Sequence, residues 1–325
     1  MTGCAADCPR TLPAALRTIL PRLAPGADPG ALVSCRSCSG SNAVYRLGFA
    51  HGDDLIVKIA SHPELVRGFA PERTAARLAR QAGLLAPDHL PAVSAPDAAP
   101  GGITFVAYPR IGLPTLADLW PRLSWQRPGA LTSWGALMRC LHEIRLPGAG
   151  PLPQAVSGSR TPSAFLGDDL ERRLGRAVRA GWPEGVPALE KLGEAVGRRS
   201  ARLDARGVVL NHGDLFAPNL LCEADGPVRC VGLLDLEDAL AAPPEADLAR
   251  TELLHGPLFG NPLPQGWFDL VLAGYGGDVD RGLIALFRAY HLLNMAYHCA
   301  ITGNPGYAGV MAEDLVRGLD AGSLD

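Results

Sequence analysis

Apolar positions along the 325-residue chain change their period repeatedly, and each change marks a predicted element. Leu12, Leu16, Ile19, Leu20 and Leu23 recur at helical spacing and stop at Pro25-Gly26, which predicts a helix over 10–24. The pattern then shortens. Ala31 to Cys38, Ala43 to Leu47 and Leu55 to Ala60 read as strands, separated by turns at Ser39-Gly40-Ser41-Asn42 and His51-Gly52-Asp53-Asp54. Helical spacing returns from Phe69 to Ala82. A Pro- and Ala-rich connection over 87–102 surrounds a short strand at Pro91-Ala92-Val93, and Ile103 to Tyr108 forms a further apolar strand running into Pro109. A boundary near Pro109 divides a strand-rich 1–109 from a helix-rich 110–325.

In the second part, Thr115 to Leu119 starts a helix, and Trp134 to Ile144 forms another with Leu137, Leu141 and Ile144 on one face. Residues 146–162, rich in Gly, Pro and Ser, read as a loop. Phe165 to Arg179 and Ala188 to Arg206 read as amphipathic helices whose many arginines form solvated faces. Val209-Leu210 then leads into a polar loop, and Leu220-Leu221-Cys222 leads out of it. A later apolar run, Val231 to Leu234, ends in acids. Helices are expected over Ala246 to Leu254, Trp267 to Ala273 and Arg281 to Ala300.

Composition narrows the class. Apolar residues make up 47% of the chain and charged ones 19%, enough for a core and too apolar for general disorder. A net charge of -3 gives no electrostatic case for nucleic acid as a partner. No apolar run approaches the roughly 18 residues that a membrane helix needs. Met1 to Pro9 shows no basic segment followed by an apolar one, so a cytoplasmic protein is expected. Of eight cysteines, Cys35 and Cys38 have zinc-knuckle spacing and Cys4 and Cys8 lie upstream, but reduced thiols are the favoured reading. Cys222 and Cys230 flank the turn Ala224-Asp225-Gly226-Pro227 and are expected on paired strands.

The polar loop concentrates the chemistry. His212, Gly213, Asp214 and Asn219 lie within eight residues, and Asp235 follows the next apolar strand. His-Gly-Asp alone also reads as a turn, and Asp235 as a helix cap. The ordered set of carboxylate, amide and second carboxylate favours phosphoryl transfer, which needs positioning and charge neutralisation more than covalent help. Magnesium takes oxygen ligands, which Asn219 and Asp235 can supply, leaving Asp214 to orient and deprotonate an acceptor hydroxyl. No P-loop pattern occurs. Ser39-Gly40-Ser41-Asn42 between two strands can cover phosphates with backbone amides, though such a segment is also an ordinary hairpin loop. Lys58 sits in an apolar strand, where an unpaired ammonium is costly.

His212-Gly213-Asp214-Leu215 with Asn219, followed by Leu234-Asp235, resembles the signature of the aminoglycoside phosphotransferase and choline kinase-like superfamily. Pro244-Glu245-Ala246-Asp247-Leu248-Ala249 is similar to its Pro-Ala-Tyr-Asp-Leu-Ala element, and Leu141-His142 to the Leu-His of its long helix. The resemblance spans roughly 35–300. It implies an α+β, protein-kinase-like fold in two lobes, with a small antiparallel-sheet N-lobe (1–109) and a larger, mostly helical C-lobe (110–325). It also implies ATP and Mg2+ as cofactors and a small-molecule hydroxyl as acceptor, with no membrane partner and no statement of oligomeric state. On this resemblance Asp214 is the base and Asn219 and Asp235 bind magnesium. Ser39, Gly40, Ser41 and Asn42 cover the phosphates, and Lys58 contacts them. Glu72, with Glu64 as second choice, positions Lys58, although Glu72 also reads as a first-turn charge favoured by the helix dipole. Ala107 and Tyr108 bind the adenine edge, and Asp247 braces the catalytic loop.

Leu236 departs from the pattern, standing where many members carry an aromatic, and Ala242-Pro243 replaces a usual Gly-Asp. Thr251-Glu252-Leu253 and Tyr290-His291-Leu292-Leu293-Asn294 resemble the fructosamine kinase branch, whereas Phe216 and Leu236 do not. The superfamily's acceptor site would draw on Glu237, Asp238, Glu252, Asp269 and 291–298. Acids there favour a cationic amino sugar; Tyr290, Asn294 and Tyr297 would suit a neutral one. An aminoglycoside-like amino-sugar acceptor is the leading expectation. A fructosamine-type substrate comes second, and a nucleotide-binding regulator without turnover is the alternative of another class.

Overall fold

The N-terminal strands pair in chain order in the computed structural model, which describes residues 12–23, 32–38, 43–60, 69–90, 104–124, 126–180, 185–256 and 263–301. β1 (Leu32–Cys38), β2 (Ala43–Phe49), β3 (Leu55–Ile59) and β4 (Phe105–Pro109) form an antiparallel sheet in the order β1-β2-β3-β4. Strand alternation assigns its faces. Leu47, Val57, Phe105 and Ala107 point to one face and pack with Leu16, Ile19, Leu20 and Leu23 of α1 (Ala14–Leu23). Lys58 lies opposite Val106 in the β3–β4 register, and Val106 packs with Ala60 and Phe69 in a separate small cluster. α2 (Ala70–Gln81) starts immediately after Phe69 with proline in its first turn and buries Glu72, Ala75, Ala76 and Ala79. These elements belong to the first of two compact units, Met1–Leu113; the second is Pro114–Asp325.

The second unit begins with α3 (Leu116–Leu119). A capping box closes its start, with Thr115 and Asp118 exchanging side-chain and backbone hydrogen bonds. α4 (Arg127–His142) is the long helix. β5 (Gly150–Pro151) and α5 (Leu152–Ala155) precede the helices α6 (Pro162–Ala180), α7 (Gly185–Arg198) and α8 (Ser200–Ala205). β6 (Val209–Asn211) enters the polar loop and β7 (Leu220–Glu223) leaves it, yet the two do not pair. β6 joins the sheet β5-β9-β6 through β9 (Leu240–Ala242), while β7 forms a hairpin with β8 (Arg229–Leu233). Cys222 and Cys230 face each other across that hairpin, sulfurs 3.7 Å apart. α9 (Glu245–Leu254), α10 (Trp267–Tyr275) and α11 (Arg281–Ile301) complete the unit.

α4 and α10 approach so closely that two glycines are needed. A Cβ on Gly274 would overlap the Thr132 carbonyl, and one on Gly135 would overlap the Val271 carbonyl. Each obstacle is backbone and cannot swing away. The contact matters for the loop that follows, because α4 carries His142 and α10 carries Tyr275.

Several expected boundaries moved, for local reasons. α4 starts at Arg127 rather than Trp134, with a proline in its first turn. Residues 146–162 are not one loop: Gly150 takes φ 129° into β5, and a helical turn follows. The helix expected over 188–206 breaks at Arg199, whose ψ of 11° leaves the helical range. Ser39, Gly40, Ser41 and Asn42, the short strand at 91–93, Glu64, Cys4 and Cys8 lie outside the described residues. Among the described residues no helix is long and apolar enough to cross a membrane.

The glycine contact yields a matched pair of substitutions. Gly274→Val should destabilise by about 1–3 kcal/mol or more through overpacking against fixed backbone. Gly193→Ala, on α7 with nothing within 4 Å of the added methyl, should instead be neutral or gain up to about 1 kcal/mol. Urea unfolding of both variants checks the pair.

Candidate active site

In the first unit Lys58 and Glu72 meet out of water. Lys58 Nζ donates to Glu72 Oε2 at 3.0 Å, with side-chain exposures of 4% and 0%. The other carboxylate oxygen, Oε1, lies 3.4 Å from His89 Nε2, and the Phe69 ring sits 5.7 Å from the ammonium. Burial alone pushes the Glu72 carboxyl up, but the charge of Lys58 and the His89 contact more than offset it, and the net shift is downward. The carboxylate form of Glu72 is therefore favoured. Of the two positions expected at the adenine edge, Ala107 is fully buried and its carbonyl accepts from Leu90 N–H at 2.9 Å. Tyr108 is buried edge-on against the His89 ring, centroids 5.2 Å apart.

In the second unit the polar loop is held from below by α9. Asp247, buried in that helix, accepts His212 N–H at 2.6 Å on Oδ2 and Gly213 N–H at 2.7 Å on Oδ1. Its Oδ2 also lies 3.2 Å from His142 Nε2, and His142 Nδ1 is 3.1 Å from the Tyr275 hydroxyl. Asn211 closes the base: its side-chain oxygen accepts the Asp247 N–H and its amide nitrogen donates to the Val209 and Ala242 carbonyls. Burial raises the Asp247 carboxyl, while His142 and the Gly213 amide bring it below the ordinary value. Burial pushes the Tyr275 hydroxyl up to about 12, helped by Glu245, so it stays protonated.

The upper side of the loop carries Asp214 and Asn219. His212 Nδ1 accepts the Asp214 N–H at 3.3 Å, so its proton is on Nε2, which donates to the Leu234 carbonyl at 2.8 Å. Asn219 ends a 3₁₀ turn over Ala217–Asn219 and donates its side-chain N–H to the Asp214 carbonyl at 2.9 Å, while its own carbonyl accepts Leu234 N–H at 2.9 Å. These bonds tie Asp214, Asn219 and the residue before Asp235 into one assembly. Asp235 is the only described non-glycine residue with positive φ, at 59°. Asp tolerates this left-handed geometry better than most side chains. Gly213 has φ 82°, and a Cβ there would overlap the Asp238 carbonyl, so the two loops touch through backbone.

Asp214 is partly exposed, and its Oδ1 accepts from Arg250 Nη2 at 3.3 Å. Lost hydration pushes its carboxyl up, Arg250 and His212 pull it down, Asp235 pushes again, and the net is upward. Asp238 is raised too, by lost hydration first and then by Asp214, with Arg250 opposing. Asp269 stands apart: it pairs with Arg281 at 3.2 Å and both side chains are open to solvent. Two residues of the late Tyr-His-Leu-Leu-Asn run hold helices together. Tyr290 donates to Asp169 at 2.7 Å, and His291 Nε2 bonds the Ala246 carbonyl at 2.9 Å, its imidazole pulled down to about 3 by burial and by Arg250. Thr251 Oγ1 donates to the Leu215 carbonyl at 3.0 Å. Arg250, Asn211 and Tyr275 were not singled out from the sequence. The one signal for Arg250 was its place three residues after Asp247 on the same helix, nearly one turn on.

A family model described as "Phosphotransferase enzyme family" matches residues 36–286. Among solved structures, the apo form of a thermostable mutant of aminoglycoside phosphotransferase APH(4)-Ia is similar at TM-score 0.64 and 14% identity, covering 90% of this chain and 96% of that one. An ethanolamine kinase of Plasmodium vivax aligns at TM-score 0.65 and 10% identity, over 93% and 86% of the two chains. The macrolide 2'-phosphotransferase MphH from Brachybacterium faecium aligns at 0.55 and 18%, over 89% and 93%. No curated protein matches the chain. These likenesses confirm the protein-kinase-like fold, with its small antiparallel sheet and mostly helical remainder.

Two outcomes follow from the buried charges. Lys58→Met should cost on the order of 3–5 kcal/mol by stranding Glu72, and adding Glu72→Leu should recover most of that stability in urea unfolding without recovering phosphate transfer. Asp247 has a lowered carboxyl pKa, so its contribution is present above the unfolded value of 3.8 and is lost as pH falls through the folded one. Asp247→Asn should therefore be less stable at neutral pH. Its unfolding free energy should also fall less steeply than the wild type's below about pH 5, because the titrating group is gone.

Proposed function

The chain belongs to the phosphotransferase enzyme family, and from that membership we propose MgATP-dependent transfer of the γ-phosphate to a hydroxyl of a small molecule, with Asp214 as the base. The chain is thus a small-molecule kinase by family, and the roles of its residues are our reading. The observation that carries it is the shared bonding of Asp214, Asn219 and the Leu234–Asp235 step into one rigid assembly.

The donor set suits a hard divalent cation. Asn219 spends its side-chain N–H on the Asp214 carbonyl, which leaves the amide oxygen for a cation, and Asp235, at a left-handed φ of 59°, adds a carboxylate. Magnesium held there would neutralise phosphate charge and orient the transferred group. Asp214, anchored through its main chain to His212 and Asn219, is assigned to orient and deprotonate the acceptor hydroxyl. Lys58, fixed by Glu72, is assigned to the α and β phosphates. Ser39, Gly40, Ser41 and Asn42 are assigned to the phosphates through their amides, and Ala107 and Tyr108 to the adenine edge. The reading implies a cytoplasmic enzyme, where ATP is supplied.

For the acceptor we propose an amino sugar of the aminoglycoside kind. Its support is electrostatic: Asp238 lies close enough to Asp214, Glu237 and Asp235 for their charges to shift its carboxyl. A site with that many carboxylates attracts ammonium groups. APH(4)-Ia, a neighbour in fold, has been captured in a ternary complex with ADP and hygromycin B.

The test is ADP release with ATP across a panel of aminoglycosides and glycated amines, at low and moderate salt. Aminoglycosides should be turned over and should lose rate as salt screens the carboxylates. Asp214→Asn should keep ATP affinity and lose about 10²–10⁴-fold in transfer, while Asp235→Ala should weaken the magnesium dependence of ATP binding. Wild-type turnover by Asp214→Asn would falsify its role as base. Salt-insensitive turnover confined to glycated amines would replace the amino-sugar acceptor.

A further inference from the structure

α9 touches the polar loop at successive points. Asp247 takes the amides of His212 and Gly213, Thr251 holds the Leu215 carbonyl, and Arg250, between them, reaches the Asp214 carboxylate. The first two contacts set the path of the main chain. The third acts on the side chain to which the base role falls.

We propose that Arg250 is a positioning residue for phosphate transfer, fixing the Asp214 carboxylate through Oδ1 so that its second oxygen faces the acceptor hydroxyl. The proposal rests on the reading of Asp214 as base. Three observations support it. A carboxylate free to rotate about χ2 presents either oxygen in any direction, and a guanidinium bound to one oxygen removes that freedom. The neighbouring carboxylates Asp235 and Asp238 repel Asp214, and Arg250 opposes that repulsion at both Asp214 and Asp238. Finally, Arg250 is not fully occupied by structure: its Nε is buried, and no described residue accepts that N–H. Its remaining exposure is 17%, so the side chain is held by its surroundings and is not a solvated surface charge.

The test uses MgATP with water as the phosphate acceptor, so that no substrate need be identified. Arg250→Met keeps the length and apolar stem of the side chain, and Arg250→Lys keeps its charge. Steady-state ADP release, MgATP affinity by calorimetry and thermal unfolding are read for both, and for Arg250→Met combined with Asp214→Asn. Arg250→Met should lower kcat by about 10²-fold, the scale of a reactive group misplaced by an ångström, with KM for MgATP and the melting temperature little changed. Arg250→Lys should restore a large part of kcat. In the Asp214→Asn background, Arg250→Met should cost nothing further, because the carboxylate it positions has lost its function. Unchanged kcat in Arg250→Met, or an equal loss in both backgrounds, overturns the proposal. If Arg250→Met fails to fold, Arg250→Gln measured in both backgrounds decides instead: loss of kcat confined to the Asp214 background supports the proposal, and unchanged kcat or an equal loss in both overturns it. Wild-type turnover in Asp214→Asn alone removes the reading of the base itself, which separates that failure from failure of the Arg250 role.

Discussion

The second unit depends on one buried carboxylate. Asp247 has no water to solvate it, so each of its oxygens must find donors within the protein, and the donors it finds are the amides of His212 and Gly213. That requirement works in both directions. The helix cannot sit where it does without the loop, and the loop cannot leave the helix without stranding a charge. His142 extends the constraint to α4, and through Tyr275 to α10, which packs on α4 with glycine-thin contact. A bonded chain thus runs from the helix–helix interface to the backbone one residue before Asp214.

Above that base, precision is obtained by backbone more than by side chains. Gly213 leaves room for the Asp238 carbonyl, and the left-handed turn at Asp235 redirects the chain just after β8. Such a conformation costs of order 1 kcal/mol or more at a residue with a Cβ, and its neighbours hold it: Leu234 is fixed on both sides, by the Asn219 carbonyl and by the His212 imidazole. Backbone hydrogen bonds of this kind narrow the positions that the side chains of the loop can take.

Much of this was legible in the chain itself, and the limits of legibility are instructive. An ammonium in an apolar strand needs an anion, the kinase resemblance pointed to Glu72 on the following helix, and Lys58 Nζ lies 3.0 Å from its carboxylate. Cys222 and Cys230 were placed on partnered strands by the turn between them. The strands β6, β7 and β8 were visible, but the partner of β6 was not: it pairs with β9, a three-residue strand of Leu240-Ala241-Ala242 with no β-branched residue to announce it. Arg250 was hidden for a different reason. Its significance comes from the curl of the loop that delivers Asp214 to it across 36 positions of sequence, and periodicity carries no information about such a contact. His142 stood out in the sequence only as part of the Leu-His of a long helix. Only the structure shows that what it packs against is the Asp247 carboxylate.

The two units each bury an ionic group, and neither group is an economical way to obtain stability. Replacing a buried pair such as Lys58–Glu72 by apolar side chains of similar volume is often neutral or stabilising, and the same holds for a carboxylate sunk beneath a loop. What an apolar pair cannot supply is direction. Lys58 held by Glu72 is an ammonium at a defined point on a β-strand. Asp247 beneath His212 and Gly213 is a fixed origin for the loop that carries the Asp214 carboxylate. Arg250, one turn along the same helix, would complete that logic: the helix that fixes the loop's main chain would also fix the orientation of the group that reacts. On this view the charges are retained because they convert packing, which specifies position only loosely for a polar side chain, into hydrogen bonds, which specify it to a few tenths of an ångström.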